Sequence, residues 1–226
     1  RACTHLNSIN MAHSSITVIP NRCFAGCFKL EDVQFPTKLE RIGNYAFLEC
    51  GIKTVVVTDS LKILGRMAFS GCHLLENVDL SKASMNLLAC GAFSNCTRLS
   101  SIILPEKLVA QNAKTPYWVW NSFTVLTNFY NQTGNDDESQ DEVVAEYSEP
   151  HEFVLAQAGT FSNDISLKSL DLSKTAMKDI ESWFFYNSSK LTSVSFPPTL
   201  QSLGEGALAN TGIDKIELTS SVNHIG

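Results

Sequence analysis

Leu39-Glu40-Arg41-Ile42-Gly43-Asn44-Tyr45-Ala46-Phe47-Leu48-Glu49-Cys50 is answered 22 residues later by Leu61-Lys62-Ile63-Leu64-Gly65-Arg66-Met67-Ala68-Phe69-Ser70-Gly71-Cys72. Working outward, a phenylalanine followed three residues on by a cysteine occurs at Phe24/Cys27, Phe47/Cys50, Phe69/Cys72 and Phe93/Cys96, with phenylalanine spacings of 23, 22 and 24. A period in this range marks one supersecondary unit that cannot bury its apolar face alone and must stack on its neighbours. The second unit continues through Ile52, Val55 and Val57, the third through Leu75, Val78 and Leu80, the fourth through Leu99, Ile102 and Leu104. The pattern resumes with Phe161, Leu167, Leu170 and Leu172, then Ile180, Phe185, Leu191, Val194 and Phe196, then Leu203, Gly204, Ala207, Leu208, Ile213, Ile216 and Leu218.

Each unit predicts its own local structure. Val33-Gln34-Phe35 alternates apolar and polar with period two, the pattern of a short strand with one buried face. Pro36, Pro105 and Pro197 follow such strands, where a missing backbone donor ends a ladder. The Ile-Gly-x-x-Ala-Phe segment is expected to form a short helical or 3₁₀ turn, with Gly43 and Gly65 placed for its tight start. Stacking then aligns the phenylalanines into a spine and the strands into a parallel sheet, over eight or nine coils.

The unit Leu39-x-x-Ile42-Gly43-x-x-Ala46-Phe47-x-x-Cys50, with its Leu/Ile-x-x-Val/Ile-x-Leu/Phe-Pro tail, resembles the BspA-like class of leucine-rich repeats across residues 1–104 and 153–226. The resemblance implies a leucine-rich-repeat solenoid: a curved right-handed coil with a short-stranded parallel sheet on its concave face and short helical or 3₁₀ turns on the other. It also implies a non-enzymatic module of surface proteins, in bacteria and parasitic protists, that bind host matrix proteins or other cells. Asp164, Ser188 and Thr211 stand where the family has cysteine.

Residues 1–226 read as a single domain. The chain opens in the back half of a unit and closes on His224-Ile225-Gly226, where Arg41-Ile42-Gly43 begins another, so a piece of a longer array is expected. With 44% apolar residues and mean hydropathy near zero, the chain can bury a continuous core. No apolar run approaches the ~20 residues a spanning helix needs, so no membrane insertion is expected within these residues.

Five of the seven cysteines (Cys3, Cys27, Cys50, Cys72, Cys96) share one repeat position, which predicts buried free thiols that satisfy backbone groups at a turn. Serine, threonine and aspartate can replace them, as Ser188, Thr211 and Asp164 do. Cys23 and Cys90 lie off this column. No cofactor is expected. Cys23-x-x-x-Cys27 has zinc-like spacing but no histidines beside it. The five histidines are scattered, and no phosphate-cradling glycine motif or positioned nucleophile and base occurs, so no catalysis is expected. The sequons at Asn95, Asn131 and Asn187 are no more than chance would supply.

Between Cys96 and Asp164 lie 68 residues, which equals three periods, or two periods and an insertion of about 22. The second division is favoured: residues 105–152 hold a degenerate repeat opened by Pro105, with Phe123, Leu126 and Phe129 at its phenylalanine, cysteine and leucine positions, and an acidic loop over about 131–152. That loop has eight acids and no lysine or arginine, so it carries the whole net charge of −6. It reads as a solvated segment, or as an acidic docking or calcium-binding element without EF-hand spacing. Tyr117 to Tyr130 contains six aromatics. Trp118 and Trp120 among them either fill an irregular coil or form an exposed anchor patch.

Function is expected on the sheet face. The outward position of each coil gives Asn10, Gln34, Val56, Asp79, Ile103, Asp171, Ser195 and Glu217, flanked by Ser8, Asp32, Thr54, Asn77, Ser101, Ser169, Ser193 and Lys215. This stripe is polar, short-chained and slightly acidic, broken by Val56 and Ile103. It suits a protein ligand with a basic patch, and not nucleic acid, which would call for a cationic stripe. A monomer is expected. The cell surface or the medium is the favoured location, with a cytoplasmic scaffold or inhibitor, or the recognition arm of a larger enzyme, as alternatives.

Overall fold

The computed structural model of the chain describes residues 3–85, 87–110 and 159–226, and at 109–110 the backbone alone. The described residues on either side of the interruption belong to one compact unit, a solenoid with two columns of parallel strands. The first column holds the three-residue strands Ser8–Asn10, Asp32–Gln34, Thr54–Val56, Asn77–Asp79, Ser101–Ile103, Ser169–Asp171 and Ser193–Ser195. Their central residue points inward: Val33, Val55, Val78 and Leu170 are buried, and Ile9, Ile102 and Val194 pack partly buried against the core.

The second column was not foreseen. It holds Val18–Ile19, Arg41–Ile42, Ile63–Leu64, Leu87–Leu88, Val109–Ala110, Asp179–Ile180, Ser202–Leu203 and His224–Ile225. Thus the Ile-Gly segment, expected to start a helical turn, starts as a strand: Ile19, Ile42 and Leu64 pair in register and turn their side chains inward.

Nor does a helical or 3₁₀ turn follow it. Among the described residues there is no helix; each coil instead runs through successive reverse turns, such as Ala46 N–H to Gly43 O, Leu48 N–H to Tyr45 O and Cys50 N–H to Phe47 O. The physical reason is a left-handed residue at two points four apart: Arg22 and Gly26, Tyr45 and Glu49, Met67 and Gly71, Gly91 and Asn95, Trp183 and Asn187, Gly206 and Asn210. A left-handed residue at the third place of a turn is the type II arrangement, and it stops helical propagation. The alternate N–H groups are freed to bond the next coil: Tyr45 to Arg66 O, Phe47 to Ala68 O and Glu49 to Ser70 O. Gly43 and Gly65 have a different task from the one expected. Neither has a positive φ; a Cβ on Gly43 would stand 2.6 Å from the Asn21 backbone nitrogen, and one on Gly65 2.5 Å from that of Asn44, so both permit close stacking of coils.

The phenylalanine spine is present. Phe24, Phe47, Phe69, Phe93, Phe161 and Phe185 stack in one file, with centroids 5.2–5.9 Å apart and successive planes within 15°. All but Phe24 are fully buried, and Phe24 packs partly buried at the upstream end. Phe93 stacks directly on Phe161, and the backbone agrees, since Phe93 N–H donates to Thr160 O and Asn95 N–H to Ser162 O. No rung comes between them. Among the described residues the spine has seven rungs counting Leu208, beside the eight strands of the second column. Phe123, Leu126, Phe129, Trp118, Trp120 and the acidic segment lie outside the described residues.

Candidate functional site

Three-residue strands expose both ends and bury the middle, so the outward stripe follows from the pleat. Asn10 pairs with Gln34, Val56 with Asp79, Asp79 with Ile103, and Asp171 with Ser195. All are exposed except Asp79, which is half-buried. Glu217 is exposed too, but Lys215 to Glu217 form no strand, so this last member of the expected stripe has no place in the ladder. Val56 and Ile103 stand out, at 59% and 52% exposure.

Three stripe residues have a local task. Asn10 Oδ1 accepts from Ala12 N–H at 3.0 Å, Asp79 Oδ1 from Ser81 N–H at 2.9 Å and Asp171 Oδ1 from Ser173 N–H at 2.9 Å. These are Asx turns that carry the chain out of the strand where proline does not. Hydrogen bonds from the Ser81 hydroxyl and backbone, helped by Lys82, hold the Asp79 carboxyl below its usual value. Ser173 and Lys174 do the same for Asp171. Both remain ionised at neutral pH.

A second set of exposed aliphatics escaped the sequence reading. Val18, Ile63 and Leu87 are 47%, 50% and 46% exposed, on the outward side of the two-residue strands, where Arg41 lies in register between Val18 and Ile63. A segment taken for a helical turn gives no period-two signal, which is why they were missed.

Inside, the cysteine column is a hydrogen-bond ladder. The Cys50, Cys72 and Cys96 thiols donate to the carbonyls of Phe24, Phe47 and Phe69 in the preceding coil at 3.0, 3.2 and 3.2 Å. Ser188 does likewise to Phe161 O at 2.8 Å. Thr211 departs from expectation: its hydroxyl returns to Leu208 O in its own coil. Burial pushes the Cys72 thiol up to about 12 and the Cys50 and Cys96 thiols well above their usual value, so these groups are inert donors and not nucleophiles. None of the seven cysteines forms a disulfide; Cys3, expected in the buried column, is exposed at the end of the array, Cys23 is exposed too, and Cys90 is buried.

Asp164 occupies the same column, fully buried. Its Oδ1 accepts from Cys96 N–H at 2.9 Å and its Oδ2 has no partner. Unlike the thiols and Ser188, this side chain serves the column as an acceptor, and its own N–H donates to the Ser188 hydroxyl at 3.3 Å. Burial raises its pKa well above the usual range, in keeping with a protonated group. One coil on, the buried Glu181 accepts from the N–H and hydroxyl of Thr160 and from Cys90, and desolvation lifts it to about 7. Among the described residues no three His, Cys, Asp or Glu side chains are grouped to hold a metal, and no helix is long and apolar enough to cross a membrane.

The sequence model described as BspA type leucine rich repeat region matches six times, over residues 1–115 and 149–226. The chain belongs to this family. Its repeats explain the matching units on both sides of the interruption. None of the curated proteins matches the chain. Among solved structures, a leucine-rich repeat protein from Eubacterium ventriosum superposes over 91% of this chain and 46% of its own, with TM-score 0.54 and 13% identity. A leucine-rich repeat protein from Bacteroides ovatus covers 94% of this chain and 67% of its own at 21% identity, with TM-score 0.37. A leucine rich cell surface protein from Faecalibacterium prausnitzii covers 96% and 58% at 15% identity, with TM-score 0.35. The BspA-type chain thus spans about half the length of the Eubacterium protein, whose likeness is one of fold.

Proposed function

We propose that this BspA-type solenoid is a non-catalytic protein-binding module of a cell-surface or secreted adhesin, engaging host or matrix proteins through the outward face of its three-residue strands. One observation carries the reading. Val56 and Ile103 are large aliphatic side chains, more than half exposed, held two rungs apart in a face otherwise built of short polar groups. Nothing in the packing of the solenoid calls for them, since the core-facing partners Val55 and Ile102 supply the buried area. Exposed apolar residues fixed on a rigid sheet, with a polar surround, have the anatomy of an interaction surface. The family supports the surface location, and the inert thiols support a role without covalent chemistry.

The test is binding of the whole chain to a panel of purified extracellular-matrix proteins beside a cytosolic extract. Saturable binding to a matrix protein is expected, weakened about tenfold by Val56→Asp or Ile103→Asp, with melting temperature unchanged. Binding that both variants leave intact moves the site off this face.

A further inference from the structure

We propose that the stretch Val56, Asp79, Ile103, Asp171 docks a basic segment of the partner, each lysine or arginine laying its aliphatic stem on Val56 or Ile103 and its cation against the carboxylate one rung on. The inference rests on the reading that the sheet face binds protein, and adds the chemistry of what is bound.

The register supplies the alternation. Val56 pairs with Asp79 and Asp79 with Ile103. The offset of 68 residues that joins Cys96 to Asp164 sets Asp171 one coil beyond Ile103, in the separate sheet it forms with Ser195, so the paired rungs are those of Val56, Asp79 and Ile103. Adjacent rungs are ~4.8 Å apart. An aliphatic surface with a carboxylate at that distance matches a basic side chain, whose stem buries along apolar area while its charged head stays beside water. The flanking Thr54, Asn77, Ser101 and Ser169 are short and leave the stretch open.

The charge at Asp79 and Asp171 is not accounted for by the fold. Asn10 makes the same turn with a neutral amide oxygen, so the turn needs an acceptor and not an anion. Glu31–Lys53, Glu40–Lys62, Glu76–Arg98 and Lys215–Glu217 form ion pairs, and neither aspartate is in them. Lys82 and Lys174 lie near enough to be felt by the two carboxylates but make no contact pair. Two ionised and oriented acceptors therefore face outward, Asp79 paired with both Val56 and Ile103 and Asp171 on the following coil. Two rungs measure roughly 10 Å, close to the ~9.3 Å that three residues span in a polyproline II chain. The ligand is an extended segment with basic residues three apart.

Asp79→Asn and Asp171→Asn keep the turn, as Asn10 shows, and remove only the charge. Fluorescence anisotropy of the whole chain with three labelled peptides of equal length gives the test: repeats of Lys-Pro-Val-Lys, and the same with glutamate or norleucine for lysine. Only the lysine peptide should bind, shifting the methyl resonances of Val56 and Ile103, and its Kd should rise about tenfold in the double asparagine variant and with added salt. No binding of the lysine peptide, equal binding of the norleucine peptide, or indifference to the double variant overturns the proposal. A matrix protein whose binding falls with Val56→Asp and not with the asparagine variants overturns the basic-segment inference while the sheet-face reading stands.

Discussion

The coils upstream of the interruption and those downstream of it share one backbone plan and differ in what they put inside. From Cys50 to Cys96 the ladder is thiol after thiol, each donating to the phenylalanine carbonyl behind it. From Phe161 onward the same column holds a carboxyl, a hydroxyl and a threonine that has turned back to its own coil. What the position demands is a small donor that reaches one carbonyl. Cysteine and serine meet that demand at little cost, whereas the Asp164 carboxyl accepts from Cys96 N–H and leaves its second oxygen without a partner. Within this column only the downstream array therefore carries a buried carboxyl, and its dependence on pH is reinforced by Glu181 one coil on.

The hardest way to break the likeness of the two halves is through the spine they share. Phe69 lies fully buried between Phe47 and Phe93, 5.2 and 5.8 Å away, so Phe69→Ala empties a rung with no neighbour free to fill it. A loss of about 3–5 kcal/mol in urea unfolding is expected. A much smaller loss would mean that the coils close up over the gap.

Titration sharpens the contrast. The pKa of Glu181 is raised from 4.5 to about 7 in the folded chain, so the folded state holds a proton that the unfolded state releases. Stability is therefore greatest below about pH 4.5 as far as this group is concerned, falls as pH rises towards 7, and levels off beyond, by up to about 3 kcal/mol. Asp164 acts in the same sense. Asp164→Asn, which can accept from Cys96 N–H at any pH without a buried charge, should raise stability at pH 7 by about 1–3 kcal/mol and leave it nearly unchanged at pH 4. Glu181→Gln should flatten the same slope. Melting curves across that range check both, and a profile as steep in the variants as in the parent refutes the assignment.

The mildest test exchanges the ladder chemistry. Cys72→Ser imports the downstream solution, since Ser188 already makes this bond, and should cost under about 1 kcal/mol; Cys72→Ala deletes the donor to Phe47 O and should cost about 1–2 kcal/mol. Equal losses from the two would show that the bond to the carbonyl contributes nothing.

Much of this fold was legible. Stacking, the parallel register of the three-residue strands, the phenylalanine spine and the buried thiol column all followed from a repeat in which Phe47, Cys50 and Val55 return at near-constant spacing. The outward stripe was legible for the same reason, because period two fixes which side chain faces out. The second strand column was not, since two residues such as Arg41 and Ile42 are too few to show a period. The turns were misread because Tyr45, Met67 and Trp183 carry no signal for a left-handed conformation, which the inter-coil hydrogen bonds impose on them.

The sequence by itself determined that this chain is a stack, because an apolar pattern repeated at this period can be buried only against copies of itself. It also determined which side chains line the interior. Tertiary structure alone decided where the array skips, how the turns close and which groups in the interior keep a proton. Each of these depends on partners many residues away: Phe93 against Phe161, Tyr45 N–H against Arg66 O, Asp164 against Cys96. Local spacing fixes the pattern within a coil; only the stacked coils fix what each group meets.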